Sequence, residues 1–395
     1  MDNKQIKIIV TGGGTAGHVT PLLAVVDELK SQSPNSVIRY IGQGSDRKSK
    51  QLIESNKNID KQYNIYAGKL RRFHGRSLSW YLSHPSLILR NIRDILLVVI
   101  GILQSLYYLI GWRPAVVFVK GGFVGLPVGL AAGLLRINIV THDSDSLPGL
   151  TNRILSKFAK KSAVAMPKEV YAQYYRQEST IETGVPVDQK YFHSKSAKQT
   201  DLLRSKYKIS KNTKVLTFVG GSLGAVRLND ALLAVVAKLI GDSKDSVFIF
   251  WSTGKPDFKR VSNYIKTNKL DRYFELAPYF SELSDIFTIS DVVVSRSGAT
   301  TIAELAALGR PTVLVPNPVL TGGHQTKNAK VLENKQAALV IGEDELSENA
   351  SLIYEAINQL LSNHKLSQSL SSNIKQFANS EAAQHLATII LDEAK

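Results

Sequence analysis

Cysteine is absent from the 395 residues. No disulfide, thiolate nucleophile or Cys-based metal site can form, and the chain suits a reducing compartment. Acidic residues are in short supply: 33 Asp and Glu face 49 Lys and Arg, leaving a net charge of +16. That excess favours a phosphate-bearing partner, whether nucleic acid, anionic lipid or a phosphorylated substrate. Aromatic residues interleaved with the basic ones and groove-reading helix motifs are both missing, so no nucleic-acid partner is expected. A signal peptide is missing too. The chain opens with polar MDNKQ and runs straight into an apolar strand, which predicts a cytoplasmic location.

What is present is an ordinary globular composition, 44% hydrophobic and 21% charged, which excludes fibrous and disordered classes. One core rarely organises a chain of this length, so two domains are expected. Positive charge is concentrated early: residues 1–190 hold 25 Lys and Arg against 13 Asp and Glu, which points the phosphate- or membrane-facing surface to that half. One apolar run, Ile95 to Trp112 (ILLVVIGILQSLYYLIGW), carries only Gln104 and Ser105 as polar residues. It sits at the lower edge of bilayer-spanning length, yet crossing there would put the two halves of the chain on opposite sides. A helix that partly covers a sheet and partly touches lipid is expected instead. Arg71, Arg72, Arg76, Arg90 and Arg93 lie just upstream with Trp80 and Tyr81 among them, a mixture suited to a peripheral anchor on an anionic membrane surface.

Short β-branched runs alternate with longer amphipathic segments from end to end, the pattern of βα units on a parallel sheet, so the fold class is α/β. Strands are predicted at Lys7–Thr11, Val37–Gly42, Ala115–Lys120, Asn138–Thr141 and Ser162–Ala165, then at Val215–Val219, Val247–Ser252, Val292–Ser295 and Thr312–Pro316. Pro21 is read as the start of a helix before LLAVVDEL. The two series begin alike, KIIVTGGGTAGHVTP and VLTFVGGSLGAVRLN. Two doubly wound, Rossmann-like domains whose strand ends face a shared cleft are therefore expected. The join is predicted near Thr183 to Pro186, giving domains at 1–185 and 186–379. Everything from Asp344 onward reads as helix, with the final segment 380–395 packing back on the first domain.

Gly12, Gly13, Gly14 and Gly17 allow a tight turn after a strand and close approach of backbone to phosphate or substrate at a helix N-terminus. The spacing lacks the Lys-Ser/Thr ending of a nucleoside-triphosphate loop and misses the strict dinucleotide fingerprint. His18 closes this loop, placed to contact substrate or accept a proton, although a lone His is more often structural. A second turn, Gly220-Gly221-Ser222-Leu223-Gly224-Ala225, would aim amides and the Ser222 hydroxyl at a diphosphate; the bland alternative is a close helix–sheet turn. The richest segment is SRSGATTIAELAALGRPTVLVPNPVLTGGHQTKNA, Ser295 to Ala329. A helix opens there at Thr300-Thr301 with Glu304 one turn inside, where a carboxylate can take both hydroxyls of a ribose while the helix N-terminus faces phosphate. Downstream, Gly322-Gly323-His324-Gln325 leads to Asn328, offering amide and imidazole groups to sugar hydroxyls.

These residues resemble the MurG family of glycosyltransferases. GGGTAGHVTP, GGFVGLPV, HDSDSLPGLTNRIL, TGVPV, GGSLGAVRLN, TGK and SRSGATTIAELAALGRPTVLVP with HQTKNA occur in that family's order and spacing over nearly the whole chain. The resemblance implies a two-domain GT-B fold and inverting transfer of N-acetylglucosamine (GlcNAc) from UDP-GlcNAc to the muramyl C4 hydroxyl of undecaprenyl-linked lipid I. It places the work at the cytoplasmic face of the cell membrane and implies no cofactor and no metal. By position it makes His18 the candidate base and assigns the acceptor to Gly13, Gly14, His18 and Phe123. Donor contacts fall to Thr15, Gly17, Asp145, Gly221, Ser222, Phe280, Ala299, Thr300, Thr301, Glu304, His324 and Gln325.

The chain departs from the family pattern at several of these places. His142-Asp143-Ser144-Asp145 stands where His-Glu-Gln-Asn is usual, Val185 and Asp188 replace an Asn and an Arg, and Leu223, His324 and Trp251-Ser252 replace Gln, Gln and His-Gln. Carboxylates at 145 and 188 near a dianionic diphosphate must turn away or meet a compensating cation or metal. Asp143-Ser144-Asp145 also mimics a metal-binding Asp-x-Asp, a reading that the family loop Leu147 to Arg153 displaces. Another UDP-sugar or acceptor, a non-catalytic nucleotide-sugar binder, and a nucleotide-sugar epimerase are the competing readings.

Overall fold

The structure, a computed structural model, describes residues 5–13, 16–44, 47–70, 83–221, 224–243, 246–319 and 323–395, the side chains of 16 and 47–49 excepted. Of the residues singled out above, Gly14, Thr15, Ser222, Leu223, Gly322, Arg71, Arg72, Arg76, Trp80 and Tyr81 lie outside the described residues. The chain divides into two compact units: Met1–Asp188 together with Asn379–Lys395, and Gln189–Ala378.

The first unit holds seven strands: β1 (Lys7–Thr11), β2 (Val37–Gly42), β3 (Lys61–Asn64), β4 (Val116–Val119), β5 (Asn138–Asp143), β6 (Lys161–Val164) and β7 (Thr180–Glu182). They pair in parallel in the order β3-β2-β1-β4-β5-β6-β7. Alternate side chains serve opposite faces. Ile8, Val10 and Phe118 pack with Leu22 and Val25 of helix Ala16–Gln32 and with Leu386 and Ile390 of helix Ala382–Asp392. Ile9, Val117 and Val119 pack the other way, against Leu109, Val128 and Leu155 from helices Pro85–Trp112, Gly125–Leu134 and Leu150–Leu155. A parallel strand covered on both faces needs such an unbroken apolar run. Strand order reverses between β1 and β4, so their C-terminal ends flank the crevice where an open α/β sheet receives ligands.

The second unit repeats the scheme with β8 (Lys214–Val219), β9 (Val247–Ser252), β10 (Phe274–Ala277), β11 (Val292–Ser295), β12 (Thr312–Leu314) and β13 (Leu339–Val340), ordered β10-β9-β8-β11-β12-β13. Leu216, Phe218, Ile249 and Trp251 pack on one side, Val215 and Phe250 on the other. Its crevice falls between β8 and β11. Beyond β13 the chain is helical, at Glu343–Glu348, Ser351–Ser362, His364–Lys375 and Ala382–Asp392.

Three differences from the sequence reading stand out. β3, β7, β10 and β13 were not predicted, and all four are sheet edges. The first helix begins at Ala16, so Pro21 lies inside it rather than at its start. The apolar helix extends over Pro85–Trp112, longer than the run that announced it, and its buried residues Leu87, Asp94, Gly101, Ser105 and Leu109 form one stripe along its whole length. Close seating explains the stripe: a Cβ on Gly101 would lie 2.1 Å from the Tyr66 carbonyl oxygen, and one on Gly68 would lie 1.8 Å from that of Asp94. The Tyr66 amide also donates to the Gln104 side-chain oxygen at 2.8 Å.

Candidate functional site

In the first unit the ends of β1 and β4 are glycine turns. Gly122 has φ +79, and a Cβ there would sit 2.2 Å from the Gly13 carbonyl oxygen. The two turns therefore touch backbone to backbone, which only glycine permits. Tyr40 pins the first turn, its hydroxyl donating to the Gly12 carbonyl at 2.7 Å. Gly17 is exposed and His18 half-buried in the opening turn of helix Ala16–Gln32, and Phe123 is half-buried directly after Gly122. Gly13, Gly17, His18 and Phe123 thus share the C-terminal end of this sheet.

The segment after β5 is a dense polar cluster. His142 donates from Nε2 to the Gly184 carbonyl at 2.9 Å, and burial, helped by the neighbouring Lys120 charge, drives its pKa well below the usual imidazole value. Its ring is held neutral there. Asp143 accepts from the Gly149 amide at 3.1 Å and from the Tyr175 hydroxyl. Burial raises its pKa while those donors and Lys120 oppose the rise, so the protein itself occupies this carboxylate. Asp145 is half-buried, its carbonyl taking the Tyr171 hydroxyl at 2.8 Å. Lys120, only 3% exposed, donates from Nζ to Ser144 Oγ at 2.9 Å. Sequence reasoning passed over this lysine as the last residue of a strand; the available signal was a lone cation between VVFV and a Gly-Gly pair.

In the second unit Gly221 (φ +82) and Gly298 are the crevice glycines, and among the described residues nothing lies within 4 Å of where their Cβ atoms would be. Gly298 caps helix Ala299–Leu308 at the end of β11, so the amide end of that helix, which favours anions, stands at this crevice. Ala299 is buried, Thr300 and Thr301 are half-buried, and Glu304, one turn in, is 9% exposed. Tyr279, which the sequence did not announce, sits close enough to Glu304 for that charge to add to burial in raising its pKa. Its hydroxyl stays protonated beside the carboxylate. Phe280 is half-buried and meets Phe250 edge-on, ring centroids 6.0 Å apart.

Ser297 and Asn328 lock the next helix to this crevice: Ser297 Oγ donates to the Gln325 carbonyl at 2.8 Å, and Asn328 Nδ2 to the Ser297 carbonyl at 3.2 Å. The Gln325 side-chain oxygen accepts the Asn317 amide at 2.9 Å, which fixes the orientation of its amide group. His324 is half-buried beside it. Trp251 faces the core, donating to Asn229 Oδ1 at 3.0 Å, and Asp188 is exposed.

The model of the glycosyltransferase family 28 N-terminal domain matches residues 8–164, and that of the C-terminal domain matches residues 215–386. The chain is 31% identical over 393 residues to the UDP-N-acetylglucosamine–N-acetylmuramyl-(pentapeptide) pyrophosphoryl-undecaprenol N-acetylglucosamine transferase of Borrelia hermsii, covering 99% of this chain and 98% of that one. The enzyme of the same name from Caldicellulosiruptor saccharolyticus is 32% identical, with 98% of each chain covered. The chain belongs to the MurG family. A crystal structure of Acinetobacter baumannii MurG superposes with a TM-score of 0.67 at 22% identity, over 98% of this chain and 99% of that one. The MurG fold is GT-B, and other members of that fold class match as well: a UDP-GlcNAc 2-epimerase from Neisseria meningitidis, bound to UDP-GlcNAc, gives 0.64 at 15% identity over 98% and 99% of the chains. Likeness at that level concerns fold alone, whereas the MurG relatives match in sequence from end to end.

Proposed function

We propose that the chain transfers GlcNAc from UDP-GlcNAc to the C4 hydroxyl of undecaprenyl-pyrophosphoryl-MurNAc-pentapeptide, lipid I, forming lipid II for peptidoglycan. The observation that carries this is the near full-length identity to transferases of that name, joined to a second-unit helix whose amides and buried Glu304 suit a nucleotide diphosphate. In the reaction the acceptor oxygen attacks the anomeric carbon in line with the departing diphosphate. The new C1–O4 bond forms as the C1–phosphate oxygen bond breaks; UDP leaves with the electron pair, and His18 takes the hydroxyl proton. Configuration at C1 inverts. Glu304 holds the ribose hydroxyls, Phe280 flanks the uracil, and Gln325 with His324 donates to the sugar. The Ala299–Thr301 amides and the turn at Gly221 and Ser222 meet the diphosphate, where their fixed dipoles stabilise the charge that develops on the leaving group. Gly13, Gly14, His18 and Phe123 receive the acceptor, while Thr15, Gly17 and Asp145 border the donor sugar.

The same proposal puts the protein on the anionic surface of the membrane that carries its acceptor. Support comes from helix Pro85–Trp112: opposite the stripe that seats it on the first unit, Leu89, Ile95, Leu96, Val99, Leu103 and Ile110 are exposed. A face of this kind is costly to leave in water. Because the seated stripe runs the length of the helix, the helix lies along the unit and contacts lipid from the side.

The test is transfer of labelled sugar from UDP-GlcNAc and from UDP-glucose to a short-chain lipid I analogue. GlcNAc transfer that is lost in both His18→Ala and Glu304→Ala is the expected result. Absence of transfer from either donor, with UDP still bound, would overturn the assignment.

A further inference from the structure

Arg296 is a charge in a place where charge is costly. Only 7% exposed, it opens the turn that links β11 to helix Ala299–Leu308. A buried guanidinium is tolerated when it is paired and hydrogen-bonded, and this residue is fastened in several directions. Its amide donates to the Val219 carbonyl at the end of β8, at 3.3 Å. Nη1 donates to the Val315 carbonyl just beyond β12, at 3.0 Å. Nη2 donates to Oε1 of Glu343, which is 5% exposed and begins helix Glu343–Glu348 after β13. That helix is seated in turn on helix Val226–Asp242, where Leu346 shares a core with Leu228 and Leu232. The other Glu343 oxygen faces the exposed Arg227 at 3.6 Å, and Arg227 also meets Asp344 at 3.4 Å; an outer pair of this kind contributes little.

These bonds converge on one spacing. Val219 leads into the glycine turn at Gly220, and helix Val226–Asp242 leads out of it. Arg296 leads into Ser297 and Gly298, where the amide end of helix Ala299–Leu308 begins. The two turns border the crevice between β8 and β11. A buried ion pair adds little to stability beyond what an apolar pair of similar volume would give, so stability alone does not account for it. We propose that Arg296 and Glu343 are positioning residues: together they hold the turn at Ser297 and Gly298, and with it the amide end of helix Ala299–Leu308, at a fixed distance from the glycine turn at Gly220 and Gly221. The consequence for a sugar nucleotide rests on the function proposed above, which gives both turns to its diphosphate; the spacing itself does not.

The experiment compares wild type with Arg296→Met/Glu343→Leu, which replaces the pair by apolar side chains. A second variant, Arg296→Lys, keeps a cation for Glu343 but loses the planar fork that also reaches Val315. Melting temperature, UDP affinity by calorimetric titration and amide hydrogen exchange without ligand are read for each. The double variant should melt close to wild type, bind UDP about tenfold or more weakly, and exchange faster in residues 219–221 and 296–301 together. In transfer assays the loss should fall on KM for the sugar nucleotide and spare KM for the acceptor. Arg296→Lys should change in the same direction by a smaller factor, and Arg227→Met, which removes only the exposed partner, should bind UDP within about twofold of wild type. A merely structural pair would lower the melting temperature and leave the affinity of the folded protein intact. Unchanged UDP affinity in a folded double variant would overturn the positioning role, and so would faster exchange confined to one of the two turns. Should the double variant fail to fold, Arg296→Lys decides by the same two measurements. Wild type that binds no UDP would count against the assigned donor site, while the exchange comparison still decides the spacing.

Discussion

Glu304 and Gly122 give the clearest expectations for single residues. Glu304→Gln keeps the size of a side chain that is 9% exposed and removes the charge that two ribose hydroxyls would share. UDP binding should weaken by about 10- to 100-fold, the worth of one charged hydrogen-bonding group, as calorimetric titration would show; unchanged affinity would remove the ribose from this site. Gly122→Ala must place a methyl 2.2 Å from the Gly13 carbonyl at φ +79. It should lose about 1–3 kcal/mol in urea unfolding and lower acceptor turnover, since the turn it distorts carries Gly13. The placement of His18, Glu304 and Gln325 in the opening turns of helices could be read in the sequence because each follows a glycine turn or helix start. Lys120 and Tyr279 could not. Their meaning comes from partners about 24 residues away in each case, a proximity that only the folded sheet creates.

At the level of elements, what could be read in advance depended on burial. The nine predicted strands are the interior ones, whose runs are largely apolar because both faces are covered. The missed strands are edges, with one side of each open to solvent and polar residues such as Lys61, Gln62 and Glu275 in place of an apolar run. Such composition protects an edge from pairing with another chain and erases the signal that would announce it. Helix Pro85–Trp112 posed the opposite problem. Its apolar run was obvious, but which face it buries was set by small residues: Gly101 meets the Tyr66 carbonyl, and the buried Ser105 folds its hydroxyl back onto the Gly101 carbonyl. Leu103→Glu, on the exposed face, should leave the melting temperature within a degree or two and reduce binding to anionic-lipid vesicles at least tenfold in sedimentation. Gly101→Val should do the reverse, lowering stability by several kcal/mol through the clash with the Tyr66 carbonyl while leaving the lipid-facing side chains in place.

Over the whole molecule, the first unit is built from two pieces of chain that are far apart in sequence. Helix Ala382–Asp392 contributes Leu386 and Ile390, both fully buried, to the core around Leu22 and Val25. Asn379 Nδ2 fixes the point of return by donating to the Thr183 carbonyl at 3.0 Å, and Asn138 Nδ2 reaches the Glu393 carbonyl at 2.8 Å. Leu386→Ala should cost about 2–5 kcal/mol and should accelerate protease cleavage within residues 16–32, measured by limited proteolysis; equal cleavage in both proteins would contradict a shared core.

That discontinuity sets a timetable for biosynthesis. The second unit is one uninterrupted stretch, residues 189–378, and it is available to fold as soon as it clears the ribosome. The first emerges earlier but lacks helix Ala382–Asp392, one of the two helices that cover one face of its sheet. At about 5–20 residues per second, the nascent chain holds that face only partly covered for roughly ten to forty seconds before the missing piece arrives. Chaperone capture, or early settling onto the lipid surface through the apolar helix, would have to occur within this interval.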